Sequence, residues 1–397
     1  MFDHLQIPRG RERVLVGTAD LALAPLRLFR RRAATGTVTR VLLLRLERIG
    51  DLLMVLDAIA AARAAWPDAE IDLAVGSWNA PLARLIPGLA RLEVADVPWL
   101  AREGTGERWT TLRAKARSWR ARGYDLVINF EPDIRSNYLS WLTGAARRFG
   151  YFTGGGGAFL TDAAAYDPRQ HVAVNARAIV ARAAGATAGD GSVRHGAHTM
   201  LQPPAEALAR AHALLGHAPR PHVGVHVSGG RQSKQWHLER FAAVARDLAR
   251  GRGATIVLTG SAGDRPMVDE VARALEGVRV IDAAGDVDLP TLAAVLADLD
   301  LLVTSDTGPM HLAGAMHTPI VALFGPSHPE RYGPLAMQHR VIRVDLPCSP
   351  CGQVRLPPAR CRGHVPDCMD GITVDAVVRA AHDLLDANAQ PPRQVQI

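Results

Sequence analysis

The sequence predicts an α/β protein with two doubly wound parallel sheets, one in each half of the chain. Runs rich in Val, Ile and Leu alternate with Ala-rich helical stretches, and this alternation starts twice, near residues 40 and 222. A length of 397 residues suits two domains. No stretch reaches the roughly 18–20 apolar residues that cross a bilayer, and we see no secretory signal.

The first half is predicted to build one β–α sheet. Its elements are a strand at 40–45, a helix from Asp51 to about Trp66, a strand at 71–75, a helix near 108–122 and a strand at 126–130. Pro67 ends the first of these helices. Residues 185–221 are rich in Gly, Ala and Pro, and we place the region between the domains there.

The second half repeats the pattern. Strands are predicted at 222–227, 255–259, 278–282, 299–304 and 320–324, with helices at 238–250, 268–275 and 289–297 and one beginning at Pro309. The predicted organisation is a basic arm (1–38), a first domain (39–200), a second domain (201–345) and a Cys-rich segment with a terminal helix (346–397). Ligands of such folds bind outside the carboxyl ends of strands.

The most informative strand end reads S-D-T-G-P-M-H and closes at His311. Pro309 suits a helix start, where its missing N–H costs nothing. The N–H groups of a helix start carry partial positive charge and favour a diphosphate. Asp306, Thr307, Gly308 and His311 are therefore candidates for binding one. The alternative is a simple strand–turn–helix in which Asp306 caps the helix.

A second strand end reads S-G-G-R-Q-S-K-Q-W. The small residues Ser228, Gly229 and Gly230 let backbone N–H groups approach phosphate oxygens, and Lys234 can neutralise a leaving diphosphate. It is not a P-loop, because that spacing is absent. The alternative is a surface loop with an extended lysine, anchored in the core by Trp236.

Each of two aspartates at strand ends has both a structural and a functional interpretation. Asp51 opens a helix, so it either caps that helix or acts as a general base toward an acceptor hydroxyl. Asp264 follows a strand and the sequence T-G-S-A-G, so it either binds ribose hydroxyls or caps the next helix. These alternatives stay open from the residues alone.

The charge balance favours an anionic partner. The formal net charge is +7 and the pI is near 9.7. Residues 14–32 combine Leu and Phe side chains with Arg27 and Arg30–Arg32, which suits either an anionic membrane surface or an ordinary exposed arm. Aromatic residues are scarce and basic residues are spread along the chain, so we expect no nucleic-acid binding.

All four cysteines lie in one segment: Cys348, Cys351, Cys361 and Cys368. Four thiols at these spacings suit a tetrahedral zinc or iron site. Two disulfides and free thiols in an ordered loop are the alternatives, and disulfides fit a cytosolic chain poorly.

Taken in order, these pieces resemble glycosyltransferase family 9, which contains the ADP-heptose:lipopolysaccharide heptosyltransferases. The resemblance covers about residues 40–372. It rests on RLERIGD (45–51), DLVINF with Arg135-Ser136, RFGY (148–151), SGGRQSKQW (228–236), LTGSAGD (258–264), SDTGPMHLAGAMHTPIVALFGP (305–326) and CMDGI (368–372).

The resemblance implies a GT-B fold, in which two Rossmann-like domains face a cleft with the acceptor on the N-terminal side and the nucleotide sugar on the C-terminal side. Asp51 then corresponds to the general base and Lys234 to the phosphate-binding lysine. The donor motif is Asp306, Thr307, Gly308 and His311, with Ser228, Gly229 and Gly230 beside it, and Arg45, Arg48 and Arg135 are on the acceptor side. Asp264 stands where the family usually has Glu, which weakens the ribose assignment.

The implied reaction is an inverting transfer of a sugar, heptose by resemblance, from a nucleotide-diphosphate donor such as ADP-heptose to a lipopolysaccharide core or related glycolipid or glycan. It needs no catalytic cofactor. Relatives with four cysteines carry an iron-binding finger, so a metal here would be structural. The implied location is the cytoplasm, peripheral on the inner face of the bacterial inner membrane. The alternatives are a sugar-nucleotide epimerase and, with less support, a basic nucleic-acid-binding protein.

Overall fold

The chain forms two compact units, Met1–Arg194 and His195–Ile397. The structure, a computed structural model, describes residues 2–7, 9–25, 36–100, 106–185, 201–285 and 287–389. Within these ranges, no helix has the length and apolar character that crossing a membrane requires.

The first unit is a six-stranded parallel sheet with helices around it. Its elements are α1 (Gly10–Leu23), β1 (Arg40–Leu44), α2 (Ile49–Leu53), α3 (Leu56–Ala65), β2 (Glu70–Val75), α4 (Ala80–Ala83), β3 (Arg91–Val94), α5 (Trp109–Arg122), β4 (Leu126–Asn129), α6 (Ile134–Leu142), β5 (Arg147–Tyr151), β6 (Asp162–Ala164) and α7 (Val172–Ala183). The strand order is β3-β2-β1-β4-β5-β6.

The second unit repeats this architecture. Its elements are α8 (Ala205–Leu215), β7 (His222–His226), α9 (Leu238–Arg252), β8 (Thr255–Thr259), α10 (Arg265–Ala274), β9 (Val280–Asp282), α11 (Leu289–Asp298), β10 (Leu301–Ser305), α12 (Gly308–Ala315), β11 (Ile320–Leu323), α13 (Pro329–Tyr332), β12 (His339–Ile342), α14 (Asp367–Asp370) and α15 (Val374–Ala389). The strand order is β12-β11-β10-β7-β8-β9.

Both sheets have the strand order of the Rossmann fold, which confirms the predicted fold class. In each unit the first strand lies at the centre, and the chain then builds outward on one side before crossing to the other. Central strands such as β1 and β10 are covered on both faces, so their sequences are almost continuously apolar and almost fully buried. The crossover point between β1 and β4, and between β7 and β10, is where such sheets bind ligands.

One prediction of local structure needs correction, and one region predicted to lie between the domains contains a helix. The single helix predicted from Asp51 to Trp66 is two helices, α2 and α3, because the backbone leaves helical geometry at Val55 (φ −108°, ψ 7°). Within the region placed between the domains, residues 205–215 form α8, and Arg210 on this helix bonds Asp288 at 2.9 Å in the second unit. Residues 186–200 of that region lie outside the described residues.

Candidate active site

Asp51 lies in the first turn of α2, at the carboxyl end of β1. Its carboxylate oxygen Oδ2 accepts a hydrogen bond from the backbone N–H of Arg48 at 3.2 Å, so it caps the helix from inside the first turn. The other oxygen, Oδ1, is paired with the Arg45 guanidinium at 3.2 Å. The Asp51 side chain remains 22% exposed. The capping role is therefore present, and the carboxylate still reaches solvent.

Arg45 fixes the position of Asp51 and is itself buried. The side chain is 4% exposed and bonds the Asp51 carbonyl oxygen at 3.0 Å and the Phe130 carbonyl oxygen at 3.1 Å. Leu44 of β1 pairs with Asn129 of β4, so Phe130 follows β4 directly beside Arg45. Sequence reasoning placed Arg45 on the acceptor side as a binding residue. Its burial makes it a positioning residue for Asp51.

Glu131 is a buried carboxyl group at the same strand ends that sequence reasoning missed. It is 1% exposed and accepts a hydrogen bond from the Leu46 N–H. Burial raises the pKa of Glu131 to about 8, and the neighbouring Glu47 carboxylate adds to the rise while Arg45 opposes it. Glu131 is therefore mostly protonated at neutral pH. Its sequence context, F-E-P-D, resembles an exposed turn, so only the β1–β4 pairing reveals the burial.

Replacing Glu131 with Gln is expected to flatten the dependence of stability on pH. The unfolded chain loses this proton near the usual pKa of 4.5, whereas the folded chain keeps it to about 8. The stabilising contribution is therefore complete below 4.5 and is lost as pH rises toward 8. Gln stays neutral and can still accept from Leu46. The check is the free energy of urea unfolding across this range.

A variant at an exposed acid, Glu276→Gln, is the control for that experiment and should keep the wild-type slope. A Glu131→Gln protein that also kept the wild-type slope would show that Glu131 ionises normally in the folded state.

The other two arginines predicted on the acceptor side are more accessible. The Arg48 guanidinium lies 5.5 Å from the centre of the Trp78 ring. Arg135 forms a bidentate pair with the Asp133 carboxylate, and its Nε lies 2.9 Å from Oδ1. The same guanidinium group lies over Trp99, 4.7 Å from the ring centre. The Arg135 side chain is 37% exposed. These contacts hold both guanidinium groups against aromatic rings, and a guanidinium group can donate to sugar hydroxyls or phosphates.

In the second unit, the ends of β7, β8 and β10 bring the donor candidates together. Thr304 of β10 pairs with His226 of β7, so the loop at 228–234 lies beside Asp306. The Lys234 ammonium bonds both the Asp306 carbonyl oxygen and the carboxylate Oδ2, the latter at 3.3 Å. A fixed cation therefore lies next to the start of α12.

Asp306 is not the helix cap that the alternative interpretation required. The N-cap residue of α12 is Thr307, and its side chain makes no capping hydrogen bond. Instead, the Asp306 carboxylate holds Lys234 and has its Oδ1 3.9 Å from His311 Nε2. The Thr307 hydroxyl bonds Thr304 and the Ser305 carbonyl. A helix start without a side-chain cap leaves its N–H groups for an anion.

The small-residue loop is held by its own hydrogen bonds. The Gly229 N–H donates to the Gln235 side chain at 2.8 Å, and the Gly230 N–H donates to the Ser228 hydroxyl at 3.2 Å. A Cβ on Gly229 would lie 2.6 Å from the Lys234 carbonyl oxygen. Glycine is needed here so that the loop can fold back and present Lys234. The two N–H groups are already engaged within the loop.

Asp264 is the N-cap residue of α10, but its side chain makes no hydrogen bond to that helix; it closes the short 3₁₀ turn at 262–264 and joins the neighbouring strand end. Its Oδ2 accepts from the Ser261 N–H at 2.8 Å and from the Ser261 hydroxyl at 2.6 Å. Burial alone would raise the pKa of Asp264, but hydrogen bonds from Ser261 and Ser228 hold it below the usual value. Beside it, burial lowers the pKa of His226 to about 4, so this imidazole, which sequence reasoning also missed, is neutral.

The Cys-rich segment packs on the donor loops. The Val354 carbonyl accepts from Ser233, next to Lys234, and the Ser349 hydroxyl donates to the Gly325 carbonyl at 2.8 Å. All four thiols are free, so the disulfide alternative is not what the structure contains. Burial raises the pKa of Cys368 to about 11, with a smaller contribution from the Cys351 thiol. Among the described residues, no group of three or more His, Cys, Asp and Glu side chains is arranged to hold a metal ion.

Lysine is rare in this chain. Of the 46 Lys and Arg residues, two are lysines, Lys115 and Lys234. Lys115 lies in the first unit, paired with Glu107 and bonded to the Val94 carbonyl. The donor candidate is therefore one of two primary side-chain amines in 397 residues.

Two Rossmann-type units with polar strand ends in each are the arrangement of GT-B glycosyltransferases. The sequence model of glycosyltransferase family 9 (heptosyltransferase) matches residues 112–357. The chain therefore belongs to this family and is a glycosyltransferase, which confirms the resemblance and sets aside the epimerase and nucleic-acid-binding alternatives.

Characterised relatives and solved structures agree with this assignment. Lipopolysaccharide heptosyltransferase 2 of Escherichia coli is 26% identical over 329 residues, covering 77% of this chain and 88% of the relative. Lipopolysaccharide heptosyltransferase 1 of Pseudomonas aeruginosa is 26% identical over 327 residues, covering 79% and 86%. The structure of a family 9 glycosyl transferase from Veillonella parvula matches with a TM-score of 0.72 and 27% identity, covering 88% of this chain and 97% of that one.

Proposed function

We propose that this protein transfers a heptose from ADP-heptose to a glycolipid acceptor of lipopolysaccharide core type, with inversion at the anomeric carbon. The observation that carries the proposal is the Lys234–Asp306 pair at the uncapped start of α12. This pair provides a fixed cation and helix N–H groups for a leaving diphosphate. The heptose and the lipopolysaccharide acceptor come from the names of the relatives, lipopolysaccharide heptosyltransferases 1 and 2, and ADP-heptose is the donor that the family resemblance implies.

In the proposed reaction, Asp51 removes the proton from the attacking acceptor hydroxyl. A carboxylate has about four lone-pair sites. Arg45 and the Arg48 N–H occupy two of those on Asp51, one on each oxygen. The remaining sites can accept the proton. The buried Arg45 holds the carboxylate in one orientation, which matters because a general base must stay within hydrogen-bond reach of the proton.

The new bond forms between the acceptor oxygen and the anomeric carbon as the bond from that carbon to the diphosphate oxygen breaks. The nucleoside diphosphate leaves with the electron pair. Lys234 and the N–H groups at the start of α12 stabilise its developing charge. Asp306 keeps Lys234 in place and brings His311 toward the same point. We propose that Asp264 accepts hydrogen bonds from the ribose hydroxyls at the carboxylate lone-pair sites that Ser261 and Ser228 do not occupy.

A thermal-shift comparison of ADP-, UDP- and GDP-sugars tests the donor assignment, because a ligand that binds the folded state raises its apparent stability. The expected result is a rise with ADP-heptose that exceeds the others, followed by transfer to a heptose-acceptor glycolipid. A protein that no nucleotide sugar stabilises, or that hydrolyses the donor without using any acceptor, would overturn the proposal.

We expect the four cysteines to bind one structural zinc or iron ion. In its favour, four thiols sit within one segment that packs against the donor loops. The side chains would have to draw closer to form a ligand set. Elemental analysis of protein purified without chelators checks this, and less than about one metal per ten chains would contradict it.

The proposed location is the cytoplasmic face of the inner membrane, where a glycolipid acceptor would be presented. The N-terminal arm contributed to this prediction through its basic and apolar residues. Arg27 and Arg30–Arg32 lie outside the described residues. The described residues of the arm are 2–7, 9–25 and 36–38, and they include α1.

A further inference from the structure

Among the described residues of the first unit, the large exposed apolar side chains lie on three helices. They are Val14, Leu15 and Leu21 of α1, Trp109 of α5 and Trp141 of α6, each between 39% and 70% exposed. We refer to these five side chains as the apolar face. Scattered single apolar residues are ordinary on a protein surface, whereas a group of them marks an interaction site.

The three helices are joined by direct contacts. Asp20 of α1 accepts from the Gly156 N–H at 2.6 Å, which places α1 beside the short turn that ends at Phe159. The Phe159 ring lies 5.9 Å from Trp141 and 5.4 Å from Tyr138. The Tyr138 ring lies 6.4 Å from Trp109. The rings on α5 and α6 are therefore packed together, and α1 is joined to them through its hydrogen bond to Gly156.

On α1, the outward side chains share one side of the helix. Val14, Leu15 and Leu21 are exposed, whereas Gly17 is buried against Phe2. The spacing of 14, 18 and 21 follows the helical repeat, with Thr18 exposed between the two apolar positions. A helix whose apolar stripe points away from its own domain needs a partner for that stripe.

The surface next to Trp109 is positively charged. Helix α5 carries five basic residues and no acidic one. Arg113, Arg117 and Arg120 are exposed and follow Trp109 at helical spacing, so they extend one side of α5. Trp and Leu side chains beside Arg are the combination found at the interface of anionic membranes, since the apolar groups enter the headgroup region and the guanidinium groups bind phosphates.

We propose that α1, α5 and α6 form a docking face for an anionic phospholipid bilayer. The inference rests on the proposed function in one respect: an acceptor anchored in lipid gives the acceptor-side unit a reason to stay at the membrane. A sugar ring alone would use the two Trp faces but not the aliphatic side chains of α1. A second copy of the chain would bring the arginine stripes of two α5 helices toward each other, and like charges would repel. An anionic bilayer can accept both the apolar side chains and the arginines.

The test uses the full-length protein and sedimentation with vesicles of phosphatidylcholine containing about one third phosphatidylglycerol and no lipopolysaccharide. One variant combines Trp109→Ala with Trp141→Ala, and another combines Leu15→Glu with Leu21→Glu. Each is expected to lower vesicle binding about tenfold or more. Salt should weaken wild-type binding, because exposed charges are screened. The control Leu208→Glu changes a residue that is 49% exposed in the second unit and should bind like wild type.

Thermal unfolding confirms that each variant is folded, and the thermal shift with ADP-heptose should match the wild type in all of them. The thermal shift separates this inference from the proposed function. Donor binding can be absent while vesicle binding is present, and vesicle binding can be absent while donor binding is present. The proposal of a docking face would be overturned if the wild-type protein did not bind the vesicles, or if the variants bound them as well as the wild type. Two other outcomes would also overturn it, in each case with vesicle binding unchanged in both variants. The first is that both variants lose binding to a delipidated acceptor glycan, and the second is that both lose a concentration-dependent dimer.

Discussion

Replacing Asp51 with Asn is expected to lower transfer by about 10²–10⁴-fold, the usual contribution of a general base. Donor binding should stay close to wild type, because the proposed donor residues belong to the other unit. The substitution also removes the carboxylate from Arg45, whose side chain is 4% exposed, so some stability should be lost as well. Steady-state transfer, nucleotide binding by calorimetry and thermal unfolding measure the three effects separately.

Asp288→Asn is a matched control for this variant. Asp288 also caps a helix, accepting from the Thr291 N–H at 2.8 Å, and is also paired with an arginine, Arg210. Its replacement should cost about 1 kcal/mol of stability and leave transfer unchanged. If Asp51→Asn behaved like this control and turned over normally, Asp51 would be a cap and nothing more.

Replacing Lys234 with Ala is expected to lower kcat/KM by about 10²–10³-fold, the range seen when one donor to a developing negative charge is removed. The ammonium group is held beside the start of α12 by Asp306, and Ala leaves that carboxylate without its partner near the leaving diphosphate. Repulsion between the carboxylate and the phosphates should then weaken nucleotide binding too. Initial-rate kinetics and titration with ADP check both parts.

Lys115→Ala is the natural control, because Lys115 is the other lysine and is also ion-paired, with a side chain 30% exposed. It should leave kcat/KM unchanged. Kinetics of the Lys234→Ala enzyme that matched those of the Lys115→Ala enzyme would remove Lys234 from the site.

Burial on both faces explains why the strands could be predicted from the sequence. Strands β1 and β10 are covered by helices on each side, so they appear as mostly apolar runs, and the polar residues that follow them mark the sheet edge. The break between α2 and α3 was not predictable in this way. The Leu- and Ala-rich pattern continues through Met54 and Val55, and nothing in it marks the change of backbone geometry.

Side-chain partners far apart in sequence account for most of what the sequence could not establish about the site. Asp306 had two interpretations until Lys234, 72 residues earlier, was seen to hold its carboxylate. Glu131 resembled a turn residue until the pairing of β1 with β4 buried it. The type and order of the candidate residues were readable from the chain, whereas their hydrogen bonds depend on which strands are neighbours.

The scarcity of lysine makes the two units separately observable by NMR spectroscopy. Reductive methylation with ¹³C-formaldehyde labels primary amines, so the side-chain signals would come from Lys115 in the first unit and Lys234 in the second. Resonances from so few sites are resolved even in a protein of 42.6 kDa. Nucleotide addition would then shift one signal while the other serves as an internal reference in the same spectrum.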